Sequence, residues 1–287
     1  MYYYILAVLI LFAWILILRF VAVADETSGA GVQVWRNIDT SIPHTDSGLL
    51  WLVNQSYSLP PTFTPQNLAT YQGVRMHASA HAAFTQMLAV MQAEGGIHDL
   101  QLVSAYRPYD YQRNLFDKKV GELISQGHSA AAADELASKS LQRPGASEHQ
   151  TGLALDVTVS GYLTQDFAAT AAGQWLAVNS HRFGFIIRYP RHKTEITQII
   201  YEPWHLRYVG IPHAQIMWEN GITLEEYAQF IASGPYINWC DSNERRAYYL
   251  VTYSEIWPEK PPAGLIDISS ARHGGGYIMT LRRVMSE

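Results

Sequence analysis

Four side chains in two short stretches have the types and spacing of a hydrolytic metal centre. Ser147-Glu-His149-Gln-Thr-Gly152-Leu-Ala-Leu-Asp156 puts a histidine and an aspartate seven residues apart, with a glycine between them. Glu202-Pro-Trp-His205-Leu-Arg-Tyr208 follows later in the chain. A catalytic zinc takes three protein ligands of nitrogen or oxygen type and keeps one position open for water. His149 and Asp156 bracket a glycine turn into a strand, so both can converge on one ion, and His205 comes from a later strand. Glu202, three residues before His205, is left as a free carboxylate. Such a group takes a proton from water and passes it to the leaving amine in metal-assisted hydrolysis. Each residue alone has a plainer reading: His149 and Asp156 hydrogen-bonded within a turn, and Glu202 paired with Arg207. The four together at this spacing favour the metal.

A second group precedes these. Ser104-Ala-Tyr-Arg107 stands at the end of an expected strand, just before Pro108. Arginine can hold a carboxylate through two parallel hydrogen bonds, and Gln112, five residues on, can add a contact. Residue chemistry equally allows a surface pair between Arg107 and Asp110. The single cysteine, Cys240, rules out an intramolecular disulfide or a cysteine-rich zinc site, so any metal must use histidine and carboxylate. His77, His81 and His98 lie on or near an expected helix and read as surface or core residues. His192 sits in an expected polar turn.

The elements that must position these groups are legible from periodicity. Val74–Glu94 has apolar residues at helical spacing and stops at Gly95-Gly96. Leu100–Ala105 reads as a strand, Tyr111–Gln126 as a helix, and Ser129 caps an alanine-rich helix to about Leu141. Thr64-Pro65 suits a short helix start. Leu153–Val159 alternates, with Leu153, Leu155, Val157 and Val159 on one face and Asp156 on the other, so it reads as a strand that aims Asp156 away from the leucines. Thr164–His181 follows a helix pattern. Phe185–Tyr189 and Gln198–Glu202 read as strands, and Pro212–Asn220 and Thr223–Ile231 as short helices, the latter with a Thr223/Glu226 capping box. Beyond Ser233, residues 247–253, 264–268 and 276–281 read as three strands of a small β appendage.

The chain has 287 residues, 48% apolar and 12% aromatic, enough for a sizeable core, and a formal charge of −5 with no long basic run. Nucleic acid is therefore not an expected partner. Tyr2–Ala24 is an apolar run with one charge, Arg19, long enough to span a bilayer. It is expected to be a transmembrane anchor or, since Ala22-Val-Ala24 resembles a cleavage site, a signal peptide. The expected organisation is residues 1–24 as anchor or signal, 25–48 as tether, 49–233 as the metal-bearing domain and 234–287 as the β-rich appendage. Leu49–Val53 is expected to be the first element docked on the core.

The motifs Ser104-x-Tyr-Arg107, Ser147-x-His-x-x-Gly-x-Ala-x-Asp156 and Glu202-x-Trp-His205-x-Arg-Tyr208 resemble, in order, the three signatures of VanY-type zinc D-alanyl-D-alanine carboxypeptidases. These form peptidase family M15 of the LAS superfamily. Leu52-Val-Asn54, Leu59-Pro and Phe183–Pro190 are similar to that family's flanking sequence. The resemblance covers about residues 49–230. It implies an α+β domain of the Hedgehog/DD-peptidase type around a central antiparallel sheet. It also implies zinc on His149, Asp156 and His205, with Glu202 as general base. Arg107 would then stabilise substrate or transition state, and Ser104, Gln112 and Ser147 would contact the terminal residue of the substrate. The implied activity is trimming of the terminal D-alanine from peptidoglycan stem peptides, with the domain outside the cytoplasm, single-pass if the N-terminal segment is kept and secreted if it is cleaved. The same site could serve L,D-carboxypeptidase, D,D-dipeptidase or endopeptidase activity, or a non-catalytic wall-binding module.

Overall fold

The computed structural model describes residues 47–234, 236–242, 245–254, 265–270 and 276–284. A hairpin opens the domain: β1 (Leu68–Tyr71) pairs antiparallel with β2 (Val74–His77). The helix expected from Val74 is therefore shorter: α1 is Ala78–Gly95. Its first turn is lost to the hairpin because Gln72 and Gly73 take positive φ and fold Val74–His77 back on β1. His77 then serves as the N-cap of α1, its Nδ1 accepting from the Ser79 amide. No helix forms after Thr64-Pro65, where an irregular segment leads into β1.

The central sheet has β3 (Gln101–Ser104), β4 (Ala154–Thr158), β5 (Phe185–Tyr189) and β6 (Glu202–Tyr208) in the order β3-β4-β6-β5, antiparallel throughout. Helices α2 (Tyr109–Ser125) and α3 (Ala130–Ser138) fill the crossover from β3 to β4. The long helix expected over Thr164–His181 breaks into a 3-10 turn (Gln165–Ala169), α4 (Ala171–Asn179) and a second 3-10 turn (Ser180–Phe183). Thr170 makes the break, its hydroxyl accepting from the Gly173 amide as an N-cap. The strand expected over Gln198–Glu202 is displaced: α5 (Thr194–Thr197) ends on left-handed Gln198, and pairing begins only at Glu202.

Helix α1 covers one face of this sheet. Phe84, Met87 and Met91 pack with Leu155, Val157, Trp204 and Leu206 in a single buried cluster. A fully buried side chain of this kind contributes about 1.5–3 kcal/mol, so the leucine face of β4 is held inward. That leaves Asp156 and His205 on the opposite face.

A second cluster lies beneath α6 (His213–Asn220) and α7 (Leu224–Ala232), the latter with the expected capping box. Leu50 and Leu52 of the docked first segment join Ile186, Ala214 and Tyr227 there. The C-terminal strands form one four-stranded antiparallel sheet, β7 (Tyr236–Ser242), β8 (Arg245–Ser254), β9 (Leu265–Ser270) and β10 (Tyr277–Val284), in the order β7-β8-β10-β9. This corrects the expected three-stranded appendage in two ways. A fourth strand, β7, pairs with β8, and Val251 and Ile278 sit fully buried in the same cluster as Leu50 and Tyr227. The sheet thus shares a core with the rest of the domain. The expected anchor and most of the expected tether lie outside the described residues. Among the described residues, no helix is long and apolar enough to cross a membrane.

His213 ties the layers together: its Nδ1 lies 2.7 Å from the Tyr227 hydroxyl and its Nε2 lies 3.1 Å from Thr280 Oγ1. Burial lowers its pKa from 6.5 to about 3. The folded protein therefore keeps it neutral where the unfolded chain would protonate it, so this contribution is whole above pH 6.5 and declines as pH falls toward 3. At one unit below the free imidazole's pKa the loss is about 1.4 kcal/mol. Denaturant titrations at pH 7 and pH 5.5 should show a smaller acid loss in His213→Gln than in the wild type. Equal losses would remove His213 as the cause.

Candidate metal centre

Strand register brings the site together. Asp156 on β4 stands directly opposite His205 on β6, and opposite partners on one sheet face have Cβ atoms about 4.5–5.5 Å apart. His149 arrives from the 3-10 turn Glu148–Thr151, which ends on left-handed Gly152 at φ 74°. A Cβ there would stand 3.0 Å from the His77 amide nitrogen, so both backbone angle and space call for glycine. This turn feeds straight into β4 and aims His149 back over Asp156.

Two bulges do the rest. Leu102 pairs with Val157 and Ser104 with Asp156, so two steps along β3 match one along β4. The extra residue, Val103, is pushed outward and is 41% exposed, while Ser104 comes onto the site face beside Asp156. On the other side, Ile187 pairs with Leu206 and Tyr189 with Glu202, so two steps along β5 match four along β6. Strict alternation would put Glu202 and His205 on opposite faces. The irregularity re-aims Glu202, and its Oε2 lies 3.7 Å from His205 Nδ1.

His149 Nε2 lies 3.1 Å from Asp156 Oδ2, and His205 Nδ1 lies 3.1 Å from Asp156 Oδ1. One ligand atom from each of the three residues falls within 4.8 Å of the others. All three side chains are buried, and His149 Nε2 and Asp156 Oδ1 have no hydrogen-bond partner. Buried polar atoms are normally satisfied, and two orphans aimed at one point fit a cation there. The donor set of two imidazoles and one carboxylate suits zinc. His149 is prepared for this role: its Nδ1 lies 2.6 Å from the Ala105 carbonyl, to which it donates, leaving the Nε2 lone pair for the ion. Burial, with the Arg107 charge, lowers its pKa to about 4, so it stays neutral.

The expected free base, Glu202, stands beside His205. Glu202 is 6% exposed at the edge of the cluster. Burial pushes its carboxyl up to about 8, helped by the negative charge of Asp156 and opposed by His205 and Arg107. Arg107 is drawn inward, not toward Asp110, which pairs with Arg113 instead. Its Nη1 donates to Asp156 Oδ2 and to Ser104 Oγ, each at 3.1 Å, and its Nε donates to Gln112 Oε1 at 3.0 Å. Gln112 is an expected pocket residue. It is 1% exposed, and its Nε2 donates to the Gln142 carbonyl, so its amide orients Arg107 from behind. Ser147 is buried at the start of the His149 turn. His77, at the cap of α1, is not among the ligand group.

Two residues escaped the sequence reading, Glu148 and Arg188, and Arg207 is read there only as a partner of Glu202. Glu148 and the two arginines form a buried charged group against the back of His205. Arg207 pairs with Glu148, not with Glu202. The available signal was Arg188 itself, a charge inside the apolar run Phe185–Tyr189, which a buried strand tolerates only with a partner.

Comparison with known proteins gives the same site a family. A profile described as VanY, D-alanyl-D-alanine carboxypeptidase, matches residues 73–211, which include all four central residues. The putative carboxypeptidase YodJ of Bacillus subtilis is 38% identical over 192 residues, covering 62% of this chain and 66% of that protein, so the chain spans just under two thirds of that relative. The bifunctional D-Ala-D-Ala dipeptidase and carboxypeptidase VanXYC of Enterococcus gallinarum is 34% identical, over 64% of this chain and 95% of that protein. A crystal structure of a point mutant of the vancomycin resistance D,D-pentapeptidase VanY, in complex with Zn(II), superimposes at a TM-score of 0.56 with 36% identity, over 62% of this chain and 97% of that one. Its central antiparallel sheet, its three motifs and these matches together make this chain a member of the VanY D-alanyl-D-alanine carboxypeptidase family.

Proposed function

We propose that this protein is a zinc-dependent D,D-carboxypeptidase that removes the terminal D-alanine from peptidoglycan stem peptides. The observation that carries the proposal is the convergence of His149, Asp156 and His205 with a fourth, unliganded carboxylate, Glu202, 3.7 Å from His205. A purely structural zinc site has no use for such a base. Zinc, when bound, supplies Lewis-acid polarisation of the scissile carbonyl and raises the acidity of water.

The chain's own residues do the remaining work. Glu202 takes the proton of the attacking water and returns it to the departing D-alanine nitrogen. Its raised pKa suits both halves of that exchange. Arg107 has a side chain 12% exposed and is held by Ser104, Gln112 and Asp156. Its fork is placed to grip the substrate's terminal carboxylate or the developing oxyanion. The wall substrate puts the domain outside the cytoplasm, and the apolar run 2–24 with its single charge supports tethering to the membrane.

Residues 25–287 should release one D-alanine from a muramyl pentapeptide, lose that activity to a chelator and regain it with zinc. Glu202→Gln with zinc still bound should lower kcat by roughly 10²–10⁴. Unchanged turnover in that variant would sink the assignment. Release of an intact D-Ala-D-Ala dipeptide, or activity on the tetrapeptide alone, would redirect the specificity.

The base must be ionised to accept a proton, so kcat/KM should fall as pH drops through the Glu202 pKa. Without the ion this carboxyl sits at about 8, and a bound cation lowers it. The acid limb of the pH profile of zinc-loaded enzyme should therefore have its midpoint below 8. A limb centred above 8 would contradict this environment for Glu202.

A further inference from the structure

Glu148 sits between Ser147 and His149 yet points away from the ligand cluster. It is 1% exposed. Its Oε1 accepts from Arg188 Nε at 2.8 Å and lies 2.8 Å from Arg207 Nη1. Each arginine is held in turn. Arg188 grips Glu225 of α7 with both Nη atoms, at 2.9 and 2.5 Å. Arg207 donates from Nη2 to the Leu49 and Trp51 carbonyls, at 2.9 and 3.0 Å. Glu148 Oε2 has no hydrogen-bond partner, and it lies 3.9 Å from His205 Nε2, which has none either.

These two unpaired atoms face each other across the back of a metal-ligand imidazole. A ligating histidine gives its second ring N–H to an acceptor, which sets the tautomer and aims the ring. His149 has its acceptor in the Ala105 carbonyl. For His205, whose Nδ1 faces Asp156 and Glu202, the group standing at Nε2 is Glu148. Burying two carboxylates and two guanidinium groups is costly, and an apolar set of the same volume is often as stable or more so. Stability alone is a weak reason for this cluster.

We propose that Glu148 is the outer-shell acceptor of His205: it takes the Nε2–H, presents Nδ1 to the metal, and is itself held by Arg188 and Arg207. Glu148 is thus a positioning residue. The inference rests on the metal reading of His149, Asp156 and His205. It requires the 3.9 Å gap to shorten to a hydrogen bond of about 3 Å when Nδ1 takes an ion.

Two experiments test it. Zinc affinity, read by competition with a chromophoric chelator, should fall roughly 10–100-fold in Glu148→Ala. Glu148→Gln removes the charge that faces the arginines but keeps one acceptor oxygen, so it should lose clearly less. Thermal melts of the metal-free variants should show comparable destabilisation, which separates positioning from general loosening. Equal zinc affinities in the two variants would overturn the proposal. A crystal structure of the zinc-loaded wild type needs no variant to fold. A His205 Nε2–Glu148 Oε2 distance within hydrogen-bond range supports the proposal, and a gap still open or filled by water overturns it. A wild type that binds no zinc would overturn the metal reading itself, whereas tight zinc with an open gap would overturn only the role of Glu148.

Discussion

The pairing of Asp156 with His205 across β4 and β6 ties the buried face of the central sheet to its polar face. A strand's side chains alternate, so slipping this register by one residue would send Asp156 into the cluster of Phe84 and Met87 and bring a leucine into the site. The buried face of the sheet therefore enforces the polar one. Leu155, Val157 and Leu206 packed under α1 hold Asp156 and His205 opposite each other. The two bulges flanking this pair bring Ser104 and Glu202 to the same side of the sheet as Asp156 and His205.

Charge is arranged in two layers around that pair. In front, Arg107 contacts Asp156 and keeps a small part of its side chain exposed. Behind, Glu148 is held by Arg188 and Arg207. Burial alone would raise the Glu148 carboxyl, but the two guanidinium groups outweigh it and hold the group well below the usual carboxylate range. A neutral Glu148 would leave buried Arg207 without a carboxylate and Arg188 with Glu225 alone. His205 stands between the layers, with one nitrogen toward each.

The back layer reaches the outer parts of the fold. Arg207 grips the backbone of Leu49 and Trp51, and the Leu50 amide donates to Ser269 of β9. Arg188 reaches Glu225 on α7, whose neighbour Tyr227 contacts His213, which in turn meets Thr280 of β10. The C-terminal sheet therefore adjoins the structure that braces the metal ligands. Shared apolar burial of Val251 and Ile278 with Leu50 fastens it there.

Legible in the amino-acid sequence were the His149, Asp156 and His205 grouping, the nearby Glu202 and the alternation that keeps Asp156 off the core face. These are local properties, carried by motif spacing and by period-two patterning within one strand. The α1 core stripe and the Thr223/Glu226 cap were legible for the same reason. Tertiary structure decided what depends on partners distant in sequence. Val74–His77 has a helical pattern but pairs with Leu68–Tyr71 across a Gln72-Gly73 turn. Glu202 and His205 have opposite parity in an ideal strand, and only the mismatch with β5 puts them on one face. Gln112 bears a side chain fit for a pocket, yet the Gln142 carbonyl and the Arg107 guanidinium engage it from behind. Glu148 and Arg188, forty residues apart, are ordinary charges until the fold removes water from both and leaves each as the other's partner.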